Sequence, residues 1–461
     1  MQSQVGMGFW RVTRVGVLVG VWVACVWVPS VGWGQFNDDR WWGRAVGGVS
    51  IDPEGILQNA QVDATGRLRQ MLLQQLAPVP QDLAQPTELR KISLRGLESA
   101  IRQALQDGKP LPDEVKYLAG LQQIRYVLVD AQQQDIIVAG PAEGWKVDER
   151  GFLVGATTGR PVMLLDDLLV ALRTAQQAAQ GGISCSIDPT PDGLHRLQAF
   201  VNTLSTIGQP DVTLRNIEQA LGPQQITVHG VPADSHFARV LVAADYRMKR
   251  LAMGFDPAPK GVKLPSYLAM ISAGPKGISN MMPRWWLAPN YQPLLRDEEG
   301  LTWEFRGGSV KAMTEEDFLT ATGQRQHTGR PNPMAQKWAD LMTAQYDRLA
   351  VAEPIFGQLR NCMDLAILGA MMVQYRLPEK AGYSFPGLLE NHQVPLMKLA
   401  PPKQTPTIAK AMKKGTNWVI TASGGVQIPS WQIVQKTEKS DSLGAVRTQA
   451  TAKKPGAWWW N

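Results

Sequence analysis

The chain has 461 residues, of which 44% are hydrophobic and 19% are charged, and its formal net charge is +7. This composition allows a buried core and excludes a disordered or fibrous protein. The basic excess lies mainly after residue 401, outside the predicted folded body. The charge therefore argues against a nucleic-acid-binding protein, in which basic residues concentrate on a folded face.

Residues 1–34 have the pattern of an export signal. Arg11 and Arg14 are the only charged residues before Asp38, and residues 15–28 are apolar or glycine. This stretch matches the apolar region of a signal peptide and is shorter than the roughly 20 residues that span a bilayer. The pattern predicts export.

The expected cleavage site follows the apolar stretch. Gly32 and Gly34 are the small residues that signal peptidase requires, so the mature chain is expected to begin near Gln35. An uncleaved N-terminal anchor is one alternative. A lipoprotein acylated at Cys25 is another, but Trp22 stands where a lipoprotein signal has an aliphatic residue.

Residues 35–160 are predicted to form an N-terminal α+β region. Apolar residues at helical spacing predict a helix over 94–105. Two adjacent strands are predicted at 126–129 and 135–139, and a hairpin over 145–154.

Residues 161–400 are predicted to form a mostly helical main region. Its four long helices are expected at 165–180, 237–253, 334–351 and 354–375. A hairpin is expected between 301–305 and 309–313, turned by Gly307 and Gly308. Thr314-Glu-Glu-Asp317 has the form of a capping box ahead of a helix.

Residues 401–435 are predicted to be a linker and a final hairpin, and residues 436–461 a basic disordered tail. The tail ends in Trp458, Trp459 and Trp460, which predicts peripheral contact with a surface or a partner.

A phrase of Gly-Gly, an aliphatic residue, Ser and Ile-Asp-Pro recurs in the chain. It occupies 47–53 and, with two inserted residues, 181–189; residues 424–428 repeat its first part. The recurrence indicates duplication of a strand–turn unit. Helices and strands do not alternate regularly, so the predicted fold class is α+β rather than a doubly wound sheet.

The mature chain would contain two cysteines, Cys185 and Cys362. A disulfide between them and two separately buried thiols both remain open. The five scattered histidines and two cysteines do not have the spacing of a zinc site, so no metal and no cofactor are expected.

The common catalytic signatures, including the nucleophile elbow, the zinc-protease helix and the phosphate loop, are absent from the sequence. Asp166 and Asp167 are candidates for acid–base or metal chemistry, but adjacent helix residues point about 100° apart. Acidic residues in a first helical turn are stabilised by the helix dipole, and this is the favoured interpretation.

Three histidines are candidate general bases. They are His195, His229 and His236, considered together with the segment Glu143-Gly-Trp-Lys146. A partly buried or surface position without a catalytic role is the favoured interpretation of each histidine. No catalytic residue is assigned.

Aromatic residues are densest between 284 and 305. The stretch contains Trp285, Trp286, Tyr291, Trp303 and Phe305. Exposed rings of this kind stack on sugars or bases, but core packing is the favoured interpretation.

A series of segments resembles a known family. The segments are Gly140-Pro-Ala-Glu-Gly-Trp-Lys-Val147, Gly159-Arg-Pro-Val162, Asp166-Asp-Leu168, Ser186-Ile-Asp-Pro189, Ala244-Asp-Tyr-Arg-Met-Lys-Arg250, Pro283-Arg-Trp-Trp286 and Leu359-Arg-Asn-Cys-Met-Asp-Leu365. The series, from about residue 45 to 376, resembles an uncharacterised family of exported bacterial proteins described mainly from planctomycetes. The resemblance implies a secreted or envelope protein and assigns no activity.

The sequence therefore favours an exported, non-enzymatic protein of the periplasm, the cell envelope or the outside of the cell. Its partner would be an envelope component or another exported protein, and its role binding or structural. The alternative is a hydrolase with a dispersed site, acting on an envelope or polysaccharide substrate. That alternative requires one of the three histidines to lie within hydrogen-bond reach of an acidic residue.

Overall fold

A computed structural model describes residues 49–59, 66–203, 209–273, 282–320, 324–327, 329–390, 394–410, 412–414, 417–419, 423–451 and 460. The expected signal peptide lies outside these residues, as do Trp458 and Trp459. Within the described ranges, no helix combines the length and apolarity needed to cross a membrane.

Strands are distributed along the whole described chain. They are β1 (Val49–Ile51), β2 (Leu57–Asn59), β3 (Thr87–Ser93), β4 (Tyr126–Asp130), β5 (Asp135–Ala142), β6 (Trp145–Val147), β7 (Leu153–Gly155), β8 (Ile183–Pro189), β9 (Gln224–His229), β10 (Met282–Asn290), β11 (Leu294–Arg296), β12 (Thr302–Glu304), β13 (Ser309–Leu319), β14 (Arg325–His327), β15 (Gln404–Thr405), β16 (Met412–Lys414), β17 (Asn417–Val419), β18 (Ser423–Ile428) and β19 (Thr437–Lys439).

Helices are interspersed with these strands. They are α1 (Arg67–Gln75), α2 (Gln81–Ala84), α3 (Leu94–Gln106), α4 (Asp113–Lys116), α5 (Leu165–Ala178), α6 (Pro191–Thr203), α7 (Pro210–Leu221), α8 (His236–Ala252), α9 (Tyr267–Ala273), α10 (Pro333–Ala352), α11 (Pro354–Gln374), α12 (Leu377–Ala381), α13 (Pro386–Leu389), α14 (Ser430–Val434) and α15 (Leu443–Thr451), with a short 3-10 helix at Leu118–Gly120.

Two mixed sheets carry the fold. The larger has seven strands in the order β14-β13-β10-β18-β8-β9-β15, and the smaller has six in the order β19-β11-β12-β4-β5-β3. Helices α8 and α10 pack on the larger sheet, and α3 and α12 pack on the smaller one. The chain therefore has an α+β fold, as predicted.

Helix α11 lies at the centre of the core. Eighteen of its 21 residues are buried, and it packs against α5, α8, α10 and α14. A Cβ at Gly369 would come within 2.4 Å of the Ala171 carbonyl oxygen on α5, so the two helices approach this closely only because glycine is present. Cys362 on α11 and Cys185 on β8 are separate, buried, free thiols.

Elements with strong local periodicity form where they are expected. The predicted helices correspond to α3, α5, α8, α10 and α11, the predicted strands to β4 and β5, and the predicted hairpin to β6 and β7. Two of these helices begin directly after a serine whose side chain caps the first turn. Ser93 accepts a hydrogen bond from the Gly96 amide, and Ser235 accepts one from the Ala238 amide.

The expected hairpin at 301–313 and the helix after residue 314 are wrong. β12 pairs with β11 and β4 in the smaller sheet, whereas β13 continues through 314–317 as a strand of the larger sheet. Thr314 and the acidic residues after it suit the start of a helix. Nine consecutive residue pairs with β10 hold the segment in an extended conformation instead.

The predicted regional boundaries do not separate structural units. Residues 161–400, expected to be mostly helical, supply five of the seven strands of the larger sheet. The pairing of β4 with β12 joins the regions 35–160 and 161–400 in one sheet. Residues 423–428, expected in a final hairpin, form β18 between β10 and β8.

The tail is ordered where the structure describes it. β19 joins the smaller sheet beside β11. α15 packs on that sheet, where Val446 and Ala450 belong to a hydrophobic cluster that includes Leu128. Arg447 pairs with the buried Asp297 at 3.0 Å. The expectation of disorder is therefore wrong for 437–451, because tail charges are neutralised by the body.

The recurring Gly-Gly phrase does not produce equivalent strand pairs. β1 pairs with β2 in a two-stranded ribbon a few residues away, whereas β8 pairs with β9, which follows two helices. β18 lies antiparallel to β8, with Gly424 opposite Ile187. The repeated sequence suits a strand start in each case without repeating the supersecondary unit.

The aromatic stretch between residues 284 and 305 lies largely in the core, in agreement with the favoured interpretation. Trp285 and Trp303 are fully buried, and Phe305 is nearly so. Trp285 makes edge contacts with Tyr267 and Trp338, at ring-centroid distances of 4.9 and 5.1 Å. These rings fill the space between the larger sheet and the helices that cover it.

Replacement of Leu443 tests whether the tail belongs to the fold. Leu443 is 1% exposed at the start of α15, so Leu443→Ala is expected to lower the free energy of unfolding by about 2–4 kcal/mol. Urea unfolding measures this, with the exposed neighbour Ser442→Ala as the control. Identical urea midpoints for wild type, Leu443→Ala and the control would contradict an ordered tail.

Candidate functional site

A cleft of about 430 Å³ opens beside the start of β3 and the end of β5. This volume lies within the range of small-molecule sites, about 300–1,000 Å³. Its polar lining residues are Thr87, Glu88, Gln122, Gln123, Arg125, Glu143, Thr158 and Arg160. Two of the segments that carry the family resemblance, 140–147 and 159–162, contribute to this lining.

Glu143 organises one wall of the cleft. The side chain is 1% exposed and accepts hydrogen bonds from Gln122 Nε2 at 2.7 Å and from the amides of Thr157 and Thr158 at 2.8 and 2.9 Å. The Thr158 hydroxyl donates a further bond. Burial alone raises the pKa of Glu143, but these hydrogen bonds outweigh it and hold the pKa below its usual value. Glu143 is therefore a fixed anion.

Gly155 allows this arrangement to form. A Cβ at Gly155 would lie 2.0 Å from Glu143 Oε1 and 2.1 Å from Gln122 Nε2, where the hydrogen bond between them passes. The residue that ends β7 must therefore lack a side chain. The turn at 156–160 then folds back so that its amides reach the carboxylate.

Two polar side chains of α11 hold the walls of the cleft from behind. Asp364 is fully buried and accepts a hydrogen bond from the Ile124 amide at 2.8 Å and another from the Tyr291 hydroxyl. Asn361 donates to the Pro161 carbonyl at 3.0 Å. Burial raises the pKa of Asp364 to about 6, against the lowering effect of its hydrogen bonds. Both walls are thus attached to the central helix.

The cleft presents charges of both signs. The Arg160 guanidinium and the Glu88 carboxylate have no hydrogen-bond or ion-pair partner among the described residues. Arg125 is half exposed, and its Nε lies 3.7 Å from Glu304. A ligand with both acidic and basic groups would find complementary partners here.

Outside the cleft, the structure joins two of the residues singled out from the sequence. Asp167, near the start of α5, lies against His236, at the start of α8, with 2.9 Å between His236 Nδ1 and Asp167 Oδ1. Both side chains are buried. Burial lowers the pKa of His236, but the charge of Asp167 and its hydrogen bond outweigh it, so the pKa is raised.

Asp166 belongs to the same cluster, although helix geometry predicted that the two aspartates face different ways. Burial and the charge of Asp167 raise the pKa of Asp166 to about 6, and His236 lowers it in part. Asp166 Oδ1 accepts the Met397 amide at 2.8 Å, and Arg239 donates to the Ala400 carbonyl at 3.2 Å. Residues 394–400 therefore cover the cluster.

The other two candidate histidines do not join it. His195 on α6 and His229 at the end of β9 are exposed, and neither has a carboxylate partner among the described residues. Within the described chain, the cleft lining contains no His, Ser or Cys. The lining does pair a hydroxyl with a carboxylate, since the Thr158 hydroxyl donates to Glu143. The His236–Asp167 pair does not line the cleft.

A group of metal-ligating side chains lies elsewhere, on β13 and β14. Glu315, Asp317 and His327 each offer one ligand atom, and these atoms lie within 4.8 Å of one another. Sequence reasoning missed this group because it placed residues 314–317 in a helix cap. The alternation of Glu315 and Asp317 on one face of a strand was the available signal.

Glu143→Gln tests the role of the buried carboxylate. Glutamine keeps the size of the side chain but replaces one acceptor oxygen by a donor that faces other donors. We expect the free energy of unfolding to fall by about 2–3 kcal/mol. The matched control is Glu88→Gln, an exposed carboxylate in the same cleft. Equal stability of the two variants in urea would refute the structural role of Glu143.

Part of the chain matches a protein family of unknown function. Residues 185–267, from β8 through α8 to the start of α9, match the model of the family described as protein of unknown function (DUF1598). No curated protein and no solved structure matches the chain. The match covers less than a fifth of the chain and agrees with the resemblance in pointing to an uncharacterised family.

Proposed function

We propose that the protein is an exported binding protein that holds a polar ligand of the cell envelope in the cleft beside β3 and β5. Export is inferred from the signal pattern of residues 1–34. The observation that carries the binding role is the cleft itself, which combines a suitable volume with unpaired charges of both signs.

The lining favours a charged peptide over a neutral sugar. Arg160 is placed to bind a carboxylate, and Glu88 an amino group. Neutral sugars bind largely by stacking on exposed aromatic faces, and Phe305, the aromatic side chain in the lining, is only 6% exposed. A peptidoglycan stem peptide has the required mixture of charges.

Thermal unfolding of the mature chain tests this proposal. A stem-peptide fragment at a hundred times its dissociation constant is expected to stabilise the native state by about 2.7 kcal/mol, a shift of a few degrees. Arg160→Gln is expected to abolish the shift. Arg215→Gln, which removes an exposed arginine on α7, is the matched control and should retain it.

Two outcomes of the same experiment would contradict the proposal. A shift of equal size in Arg160→Gln would place the ligand outside the cleft. If peptides, polysaccharides, metals and nucleic acid all leave the wild-type midpoint unchanged, a small polar ligand is rejected. A protein partner, sought by pull-down from envelope extract, would then be the next hypothesis.

A hydrolase is the second candidate, because His236 lies within hydrogen-bond distance of Asp167. A carboxylate that binds Nδ1 orients an imidazole for general-base work at Nε2. Catalysis at this pair would require residues 394–400 to move. The hydrolase predicts cleavage of a polysaccharide or peptidoglycan by wild type and its loss in His236→Gln; absence of product with wild type rejects it.

The binding proposal predicts a different effect of His236→Gln. Loss of one partner of a buried pair is expected to lower the free energy of unfolding by about 3 kcal/mol, with stem-peptide binding unchanged. Because the folded pKa of His236 is raised, the stabilisation is fully present below the ordinary histidine pKa of about 6.5 and is lost as pH rises through the folded value.

Urea unfolding at pH 6 and at pH 9 measures this dependence. The difference between wild type and His236→Gln should be larger at pH 6. A difference that is the same at both pH values would show that His236 is not stabilised as the cation by Asp167.

A further inference from the structure

The group formed by Glu315, Asp317 and His327 is built by the pairing of two strands. Glu315 and Asp317 are two residues apart on β13 and therefore share one face of the sheet. His327 on β14 lies directly opposite Asp317, and its Nδ1 is 2.8 Å from Asp317 Oδ1. The site shares no residue with the cleft.

The side chains of Glu315, Asp317 and His327 differ in burial, and the site is open to solvent on the side of His327. Asp317 is fully buried, Glu315 is 19% exposed and His327 is 56% exposed. Arg325 donates to Asp317 Oδ2 and also contacts Asp188 at 3.0 Å, which fixes the aspartate. Glu315 Oε1 accepts the Gly329 amide at 2.9 Å, and Oε2 has Arg284 Nη1 as its neighbouring charge at 4.0 Å.

We propose that Glu315, Asp317 and His327 bind a divalent transition-metal ion, for which Zn²⁺ is the natural probe. The ion would replace the proton between His327 Nδ1 and Asp317 Oδ1, and that proton would pass to solvent. Ligand atoms about 2.0–2.2 Å from Zn²⁺ lie roughly 3–4 Å apart. Rotation of the exposed His327 side chain and the partly buried Glu315 side chain closes the remaining distance.

The donor set selects the class of metal. Imidazole with carboxylates suits Zn²⁺ and its transition-metal neighbours, whereas Mg²⁺ and Ca²⁺ prefer oxygen ligands alone. With three protein ligands, the fourth position faces solvent beside His327. Such an open position is the arrangement of zinc sites that hold a water molecule.

A neighbouring positive charge should weaken metal binding, so its removal is a test in which the affinity is expected to rise. Arg284 Nη1 lies 4.0 Å from Glu315 Oε2, so its positive charge competes for the same oxygen. Removal of this charge by Arg284→Gln is expected to tighten Zn²⁺ binding. A zinc site remote from Arg284 would not respond to this change.

Isothermal titration of ZnCl₂ into the full chain, purified without a metal-binding tag, tests the proposal. Wild type is expected to bind one ion at this site and to show no heat with MgCl₂. His327→Gln and Glu315→Gln are expected to weaken binding by tenfold or more, since even loss of a group that supports a ligand costs about 10–100-fold. His195→Gln, an exposed histidine on α6, is the matched control.

Two outcomes would overturn the proposal. One is the absence of Zn²⁺ binding to the folded wild-type chain. The other is unchanged affinity in both His327→Gln and Glu315→Gln, which would place any bound zinc elsewhere. Both substitutions change side chains that are not fully buried, and circular dichroism verifies that the variants remain folded.

Discussion

The structure depends on the burial of α11, which removes Asp364 and Asn361 from water, so that these two side chains need partners inside the protein. Asp364 meets this requirement by accepting the Ile124 amide and the Tyr291 hydroxyl, and Asn361 donates to Pro161. A buried polar group without a partner costs about 1–3 kcal/mol, so these bonds select one position for each attached segment. The central helix thereby sets the positions of chain segments far apart in sequence.

The buried attachments to α11 also position the cleft at the surface. Ile124 lies in the segment that carries Gln122, Gln123 and Arg125, and Pro161 follows Thr158 and Arg160, so α11 positions both polar walls. Glu143 then joins the walls through its own hydrogen bonds. Because rigid walls hold their charged groups in place before a ligand arrives, this construction suits binding. It also explains why buried polar residues of α11 contribute to a site that they do not touch.

Local patterns in the sequence predict local structure, and long-range pairing accounts for what they miss. The long helices begin and end close to the expected residues because each has its own apolar periodicity and start signals. β18 was unpredictable as a central strand because its partners, β10 and β8, are more than 130 residues away. The His236–Asp167 pair joins residues 69 apart, and the Glu143 network depends on a glycine whose role only the packing reveals.

Amide hydrogen exchange of residues 35–461, measured with and without a saturating peptidoglycan stem peptide, tests whether α11 positions the walls of a ligand-binding cleft. The free protein should protect the Ile124 amide strongly, because that amide is buried and bonded to Asp364. The peptide should slow exchange further in 122–125 and 156–160, the walls that α11 positions. Rapid exchange at Ile124 in the free protein, or ligand-induced protection confined to other parts of the chain, would contradict this account.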